Sequence, residues 1–238
     1  MPNSMKTSKN LRKAGFELLY EISHAIVSNR YLDEILTMIV HLAAQVTGSS
    51  LCSIMLLNDK KDHLEIKATQ SLSQKYRSKP PLPVKGSVSG RAVLTKKPVV
   101  VLNVLEDKEF LLRDVALQDG LVSLLAIPMM IKNTVIGVFN CYTAEAHEFS
   151  EEEIQVLGAV ANQAAMAIEN TQLLADKIAA VEALEARKRV EKAKGILMKR
   201  HHISEPEAYR LLQKQSMDKR RSLGEVAEAI VVSAEIAP

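Results

Sequence analysis

The sequence predicts an α+β fold, in which an antiparallel sheet flanked by helices is followed by one long helix and a small three-helix bundle. Short apolar segments with turn residues between them fill residues 50–143, as in β-hairpins. Residues 150–200 contain no proline and keep a helical pattern throughout. Three amphipathic stripes follow about residue 187. Strands followed by a run of helices are typical of the α+β class.

The N-terminal segment is predicted to be helical. Residues 11–46 place apolar side chains at helical spacing. Asn29 and Arg30 are expected to divide this segment into two helices, with Asp33 near the start of the second. Gly48 is expected to end the second helix, because glycine tolerates the left-handed conformation that follows many helices.

The first half of the sheet is predicted from a hairpin and the segments after it. The pattern predicts a buried strand over residues 50–59 and a half-exposed strand over residues 63–70, and the turn sequence NDKKD joins the two strands. The proline-rich residues 79–86 predict an extended loop. A short helix is expected over residues 86–97 and a short strand over residues 98–103.

The second half of the sheet is predicted to be the clearest hairpin in the chain. Residues 106–119 have a helical pattern that ends at Gly120. The apolar residues 122–131 and 134–143 then form two strands, with Lys132 and Asn133 at the turn.

The long helix is predicted to begin with a capping box formed by Ser150 and Glu153. Apolar and small residues then alternate at spacings of three and four, which is the pattern of a coiled-coil seam. We expect this seam to form a parallel dimer, although packing on the chain's own sheet is the alternative and is expected for its first half. The seam consists of Ile154, Leu157, Ala161, Ala164, Ile168, Thr171, Ala175 and Ile178.

Positive charge is concentrated near the C-terminus. The 238 residues carry a net charge of +3. Residues 187–221 hold twelve Lys and Arg against four Asp and Glu, a net charge of +8, so the rest of the chain carries −5. This asymmetry indicates a basic binding module on a mildly acidic carrier.

The lack of a targeting signal and of a cysteine motif in the sequence predicts a cytoplasmic protein. The N-terminus lacks the apolar region of a signal peptide, and the longest apolar run, residues 124–131, is far shorter than a membrane span. Cys52 and Cys141 are isolated and have no zinc-site spacing, which is typical of a reducing compartment. No membrane association and no metal site are expected.

The C-terminal bundle is predicted to present a basic surface. Ser204 with Glu207, and the SLGE sequence that starts at Ser222, are capping boxes that begin its second and third helices. Gly195 lies among lysines at helical spacing, where it would let a phosphate approach the backbone closely. Tyr209 could stack on an unpaired base or fill the core, and the simpler alternative for the whole surface is a solvated basic face. The predicted contact residues are Lys188, Lys192, Lys194, Gly195, Lys199, Tyr209, Arg210, Lys214, Lys219, Arg220 and Arg221.

The C-terminal segments AKGILM, ISEPEAYRLLQKQSM and SLGEVAEAIV resemble an ANTAR domain, the three-helix RNA-binding module of bacterial transcription antiterminators. The resemblance covers roughly residues 185–236. It implies binding to tandem small-loop RNA hairpins in nascent transcripts, and a homodimer held by the preceding coiled coil. The pair His201-His202 departs from the family, where many members carry a small residue or glycine.

Residues 30–175 resemble a GAF domain, a small-molecule-sensing α+β fold. The resemblance rests on YLDEILTMIVHLAAQVTGSSLCSIMLLND, GSVSGRAVLTKKPVVV and the segment from LLAIPMMI to AMAIEN. The expected organisation is therefore an N-terminal helix (1–29), a GAF-like domain (30–171), a coiled-coil linker (172–186) and an ANTAR-like domain (187–238).

The resemblance does not identify a ligand of the GAF-like domain. Asn103, Phe110 and Asp114 match part of the pattern of cyclic-nucleotide-binding members, but Val104 and Val115 follow the asparagine and the aspartate. A cyclic nucleotide is therefore disfavoured, and the cofactor or small-molecule ligand stays unknown. Phe110 and Ser123 are the candidate ligand-contacting residues.

Together these features predict a signal-responsive, RNA-binding transcription antitermination regulator without enzymatic activity. The sequence contains no P-loop, no GxSxG elbow and no metalloprotease motif. Two alternatives stay open: a DNA-binding regulator with a GAF-like sensor, and a GAF-type redox enzyme that uses Cys52 and Cys141. The signal could be a metabolite, an upstream kinase or a redox change, and it could drive dimerisation or reorient an existing dimer.

Overall fold

The computed structural model describes the backbone of residues 2–26 and 31–236 and the side chains of residues 13–26 and 31–234. It divides into two compact units, one ending at Thr171 and the other beginning at Gln172. The predicted break at Asn29 and Arg30 lies outside the described residues.

The first unit contains six helical segments and a six-stranded sheet among its described residues. The helices are α1 (Pro2–Ile26), α2 (Leu32–Thr47), α3 (Gln74–Arg77), α4 (Val88–Thr95), α5 (Arg113–Asp119) and the first part of α6 (Glu151–His201). The strands are β1 (Leu51–Leu57), β2 (His63–Thr69), β3 (Leu82–Pro83), β4 (Val99–Val101), β5 (Ser123–Ile131) and β6 (Thr134–Thr143).

The sheet is antiparallel throughout, in the order β3-β2-β1-β6-β5-β4. The two predicted hairpins, β1-β2 and β5-β6, are both confirmed. In the second hairpin Ile131 pairs with Thr134, so Lys132 and Asn133 form the turn as predicted. Lys132 adopts the left-handed conformation, with φ of 54°, that such tight turns require.

Alternation along the strands divides the apolar side chains between the two faces of the sheet. Leu125 and Ile127 of β5 lie in a core with residues of α1, α2 and the start of α6. Leu124 and Ala126 of the same strand lie in a second core, which α4, α5 and the connecting loops complete. Helices α2 and α6 therefore cover one face, and the short helices cover the other.

Local capping explains where α2 ends and where α6 begins. Helix α2 ends at Gly48, whose φ of 66° is left-handed and whose N–H donates to the carbonyl of Ala44. Asp33 lies in the first turn of α2, as predicted. The capping box before α6 is confirmed: the carboxylate of Glu153 accepts from the backbone N–H of Ser150 at 2.7 Å. In return, the Ser150 hydroxyl accepts from the N–H of Glu153.

The predicted helix over residues 106–119 is wrong for its first half, because α5 begins only at Arg113. The side chain of Asn103 accepts from the N–H of Leu105, and that of Asp107 accepts from the N–H of Glu109. Such local side-chain bonds offer the backbone an alternative to helix. Arg91 then fixes the loop through a 2.7 Å ion pair with Asp107. The short elements α3 and β3 were not predicted at all.

The second unit consists of three helices: the C-terminal part of α6, then α7 (Glu205–Lys219) and α8 (Leu223–Ile236). Its core is formed by one stripe from each helix, as the periodicity predicts. The buried members are Ala193, Leu197, Ala208, Leu212, Val226, Ala227 and Val231. Gly224 of α8 lies beside Ala186 of α6, where a Cβ would make ordinary van der Waals contact at 3.4 Å.

Candidate nucleic-acid interface

Two capping boxes determine where α7 and α8 begin in the C-terminal bundle. The carboxylate of Glu207 accepts from the N–H of Ser204 at 2.8 Å, and that of Glu225 accepts from the N–H of Ser222 at 2.7 Å. These bonds lower the pKa of both glutamates below the ordinary value, with the Ser204 hydroxyl as the largest cause for Glu207 and the Ser222 backbone N–H for Glu225. The predicted helix starts are thereby confirmed.

An exposed strip on α6 carries the predicted lysines. Lys188, Lys192 and Lys199 are exposed and follow one another at spacings of four and seven residues. The ammonium of Lys188 also lies 2.8 Å from the carboxylate of Glu185 on the same helix. We call these three lysines, together with Gly195, the α6 strip.

Gly195 lies within the strip and faces open space. Leaving out its own helix backbone and chain neighbours, no described atom lies within 4 Å of the position that a Cβ would occupy. Its φ is not among the positive values found in the described backbone. Neither packing within the described chain nor backbone conformation therefore requires glycine here.

Lys194 differs from the other predicted contact residues because it is buried. Its ammonium lies 2.8 Å from a carboxylate oxygen of Glu191 and 2.6 Å from one of Glu205, and its side chain is only 10 % exposed. Glu191 first and Glu205 second raise the pKa of Lys194. The pair with Glu205 links α6 to the first turn of α7. The RNA contact of Lys194 stays a prediction. In the structure, the Lys194 side chain joins α6 to α7 through its ion pair with Glu205.

The remaining predicted contact residues lie on α7 and on the connection to α8. Arg210 and Lys214 are exposed, and Tyr209 is 40 % exposed rather than buried in the core. Arg220 adopts the left-handed conformation, with φ of 51°, and ends α7. The Ser216 hydroxyl donates to the carbonyl of Arg221 at 2.6 Å and closes the same turn. Lys219, Arg220 and Arg221 are all exposed.

A groove between α6, α7 and α8 was not predicted. It has a volume of about 430 Å³ and lies beside the α6 strip, with Ile196 and Arg200 among its lining residues. The side chains of Leu211 and Ile230 are only partly buried and line the groove. Periodicity in the sequence gives no signal for such a groove, because it does not distinguish apolar residues of a core from apolar residues that line a groove.

The predicted dimer seam divides into a buried part and an exposed part. Leu157, Ala161 and Ala164 are fully buried in the core of the first unit, and Ile154 and Ile168 pack against that core. Thr171, Ala175 and Ile178 are exposed. A second, apolar stripe lies along the same helix, and each of its residues is more than half exposed. It consists of Leu173, Leu174, Ile178, Val181 and Leu184.

The candidate ligand residues of the first unit lie in a tightly packed interior. Phe110 is buried and meets the ring of Tyr142 edge-on at 6.4 Å. The Ser123 hydroxyl donates to the carbonyl of Leu102 and accepts from the N–H of His147. A cavity of about 10 Å³ beside Phe110 would hold at most one water molecule. The roles of both residues in ligand binding stay predictions.

One buried amine in this interior lacks a hydrogen-bond partner. The ammonium nitrogen of Lys79 has none among the described residues and lies 3.9 Å from the centroid of the Tyr76 ring. Burial lowers the pKa of Lys79 to about 7. The Tyr76 hydroxyl is hydrogen-bonded to Ser53 at 2.7 Å.

The two cysteines face each other across β1 and β6. Their Sγ atoms are 3.2 Å apart and fully buried, and the Ser49 hydroxyl lies 2.9 Å from the Cys141 sulfur. Hydrogen bonds from Cys52 and Ser49 lower the pKa of Cys141, whereas burial raises the pKa of Cys52.

Within the described part of the chain, no three His, Cys, Asp or Glu side chains are arranged to hold a metal ion. No helix in that part is long and apolar enough to cross a membrane.

The fold and the basic bundle define a class of protein in which an α+β domain continues through one long helix into a small helical module. The family model of the GAF domain matches residues 29–169, and that of the ANTAR domain matches residues 179–231. The first match spans more than half of the chain, so the chain belongs to the GAF domain family. An ANTAR domain follows the GAF domain.

Two curated relatives match this chain over different lengths. The methyl sulfide methyltransferase-associated sensor of Methanosarcina acetivorans is 31% identical over 171 residues, which cover 68% of this chain and 17% of that protein. The transcriptional regulatory protein PdtaR of Mycobacterium tuberculosis is 44% identical over 50 residues, which cover 21% of this chain and 24% of PdtaR. The matched stretches thus span about a quarter or less of either relative.

Solved structures share the fold of the first unit. The GAF domain of a phosphoenolpyruvate-protein phosphotransferase from Coxiella burnetii has a TM-score of 0.63 at 19% identity, and the match covers 71% of this chain and 98% of that one. A free methionine-R-sulfoxide reductase from Neisseria meningitidis has a TM-score of 0.58, also at 19% identity, with 68% and 93% covered. A domain of a phosphotransferase and a reductase thus share this fold, and the fold alone does not identify a function.

Proposed function

We propose that this protein is a signal-responsive transcription antitermination regulator whose ANTAR domain binds tandem small-loop hairpins in nascent RNA. The observation that carries the proposal is the α6 strip, where exposed lysines flank a glycine that faces open space. A glycine inside a helix costs up to about 1 kcal/mol relative to alanine. A close approach of a phosphate to the helix backbone would offset that cost.

Charge supplies the affinity in this proposal. Lysine and arginine side chains that neutralise RNA phosphates release condensed counterions, so the affinity falls steeply as salt rises. Arg210 and Lys214 on α7, and the Lys219–Arg221 connection, extend the positive surface beyond the α6 strip. The ANTAR match over residues 179–231 and the likeness to the transcriptional regulatory protein PdtaR support a role in transcriptional regulation. Because the target is a nascent transcript, the protein would act in the cytoplasm.

Dimerisation would present two ANTAR domains to two hairpins. The exposed apolar stripe from Leu173 to Leu184 gives α6 a surface for a second copy of the chain. We propose that this stripe, rather than the buried part of the predicted seam, forms most of the dimer contact. Leu157, Ala161 and Ala164 already fill the core of their own GAF domain.

The GAF domain would supply the regulatory input, either from a small molecule or from an upstream kinase. Its interior beside Phe110 is nearly filled, so a bound metabolite would have to displace side chains there. Such a displacement would act on the domain whose opposite face packs against the start of α6. This helix is continuous into the ANTAR domain.

The test uses the full chain and a pool of two-hairpin RNAs with randomised loops. We expect selection to recover a loop sequence that binds more tightly than scrambled RNA or duplex DNA. Lys192→Ala with Lys199→Ala should weaken binding and lower the slope of log affinity against log salt by about one per lost phosphate contact. The control double variant, Lys85→Ala with Lys97→Ala, removes two exposed lysines from the GAF domain and should change neither quantity.

Transcription provides the functional readout. A template that places the selected hairpins before a terminator should give more read-through with the wild-type protein than with the lysine variant. Absence of any enriched loop would contradict RNA recognition. Preferential binding to duplex DNA would instead favour the DNA-binding alternative.

A further inference from the structure

The groove of the ANTAR domain combines an apolar floor with a basic rim. Its volume of about 430 Å³ lies within the range of about 300–1,000 Å³ that is usual for small-molecule sites. The floor is formed by the aliphatic side chains of Ile196, Leu197, Leu211, Val226, Ala229 and Ile230. All three helices contribute to it, so the shape of the groove depends on the folded bundle.

The polar part of the lining carries three cationic side chains and one carboxylate, together with Gln215, Ser233 and a histidine. The cationic side chains are Arg200, Lys219 and Arg221, and the histidine is His201. The carboxylate of Glu225 also belongs to the lining, but it is engaged by the N–H and hydroxyl of Ser222 at 2.7 and 2.9 Å. The groove therefore suits a ligand with an apolar body and a negatively charged attachment.

The groove is continuous with the α6 strip. Lys192, Ile196 and Arg200 follow at intervals of four residues, so they lie next to one another along α6. Lys199 is adjacent to Arg200 in sequence and is exposed. An RNA backbone that follows the strip would therefore pass the edge of the groove.

We propose that the groove receives one unpaired base of the RNA loop. This inference rests on the proposed RNA binding and adds to it the site at which a single nucleotide is held. The base would lie against the aliphatic floor, while Arg200 and Arg221 would contact the phosphates on either side of it. A nucleotide matches both features of the groove, since its base is apolar on both faces and its phosphates are anionic. The position also gives His201 a place on the rim of this site.

The test fills the groove without changing its charge. Ala229→Trp adds a large side chain to the lining, and Val232→Trp, three residues further along α8, is the matched control. Val232 is 46 % exposed and is not part of the groove lining. The probe is the selected two-hairpin RNA, in which each loop nucleotide is replaced in turn by an abasic one.

For the wild-type chain, we expect one abasic position to lower the affinity about tenfold, because the apolar contact between that base and the groove is lost. Ala229→Trp should lower the affinity for the intact RNA by a similar factor and should then be insensitive to that abasic position. Val232→Trp should behave as the wild type. Ser233→Phe, at another position of the lining, repeats the test if Ala229→Trp unfolds by circular dichroism.

Other outcomes would overturn the inference. If the abasic effect persists in the filled variants, the base is held elsewhere and the groove is not its site, although RNA binding by the strip stands. If the filled variants bind RNA normally but lose antitermination, the groove serves a protein partner instead. Failure of the wild-type chain to prefer the selected RNA would contradict the proposed function itself, before any groove variant is compared.

Discussion

Gly195 is the residue at which stability and proposed function are expected to oppose each other. Replacing it with alanine should stabilise α6 by up to about 1 kcal/mol, because alanine is the better helix former and a Cβ there meets no described side chain. The same methyl group should hinder a phosphate that approaches the helix backbone. We expect Gly195→Ala to raise the melting temperature and to weaken RNA binding severalfold, measured by calorimetry and by titration.

Gly158 offers a matched control on the same helix. It lies in the GAF domain part of α6, and a Cβ at this position likewise meets no described atom within 4 Å outside its own helix backbone and chain neighbours. Gly158→Ala should therefore stabilise the chain and leave RNA binding unchanged. Unaltered RNA binding by Gly195→Ala would refute the close approach of a phosphate at this position.

At the scale of the element, α6 carries two apolar faces with different uses. One face is buried against the sheet of its own domain, and the other is exposed between Leu173 and Leu184. Val181 is 52% exposed within the second face. Val181→Glu should place like charges opposite each other in a dimer and shift sedimentation toward the monomer.

Ala179→Glu is the control for this prediction. A separation of two residues along a helix corresponds to a rotation of about 200° around its axis. Ala179 therefore lies on nearly the opposite side of α6 from Val181. It is also exposed, and the substitution introduces the same charge. Ala179→Glu should leave the sedimentation of the wild type unchanged. Equal effects of the two glutamates, or a wild-type chain that sediments as a monomer, would contradict the proposed dimer face.

At the scale of the whole molecule, acid should loosen the ANTAR domain through the pair that joins two of its helices. The hydrogen bond and charge of Lys194 lower the pKa of Glu205 below its ordinary value of about 4.3. A carboxyl with a lowered pKa in the folded state contributes stability above its unfolded pKa. That contribution is lost as the pH falls through the lower, folded value.

At pH 7, we expect the amide hydrogens of α7 to exchange faster in the Glu205→Gln variant than in the wild type. The difference should shrink as the pH falls from 7 to 2, because the wild-type carboxyl becomes protonated as the pH passes its lowered folded pKa. Hydrogen exchange followed by mass spectrometry, with both proteins compared at the same pH, measures this. Glu182→Gln, an exposed glutamate on α6, should behave as the wild type at both pH values. A Glu205→Gln difference that is as large at pH 2 as at pH 7 would show that charge is not its cause.

Local chemistry explains which elements could be predicted and which could not. The hairpin at Lys132 and Asn133 and the capping boxes at Ser150, Ser204 and Ser222 depend on neighbouring residues, and all were found from sequence. Residues 106–112 were predicted as helix because their apolar spacing fits one. The bonds from Asn103 and Asp107 to nearby backbone N–H groups favour turns instead, and the ion pair with Arg91 holds them in place.

The sequence by itself determined the order of the longer elements, the two domain types and the concentration of positive charge near the C-terminus. These features depend on periodicity, on capping residues and on composition, which are all local properties of a chain. Only the tertiary structure decided which face of α6 is buried, that Lys194 is enclosed by two carboxylates, and that three helices leave a groove. These features depend on which side chains meet across distant segments. A helical pattern shows that a face is apolar, but the identity of its partner is determined only when the chain is packed.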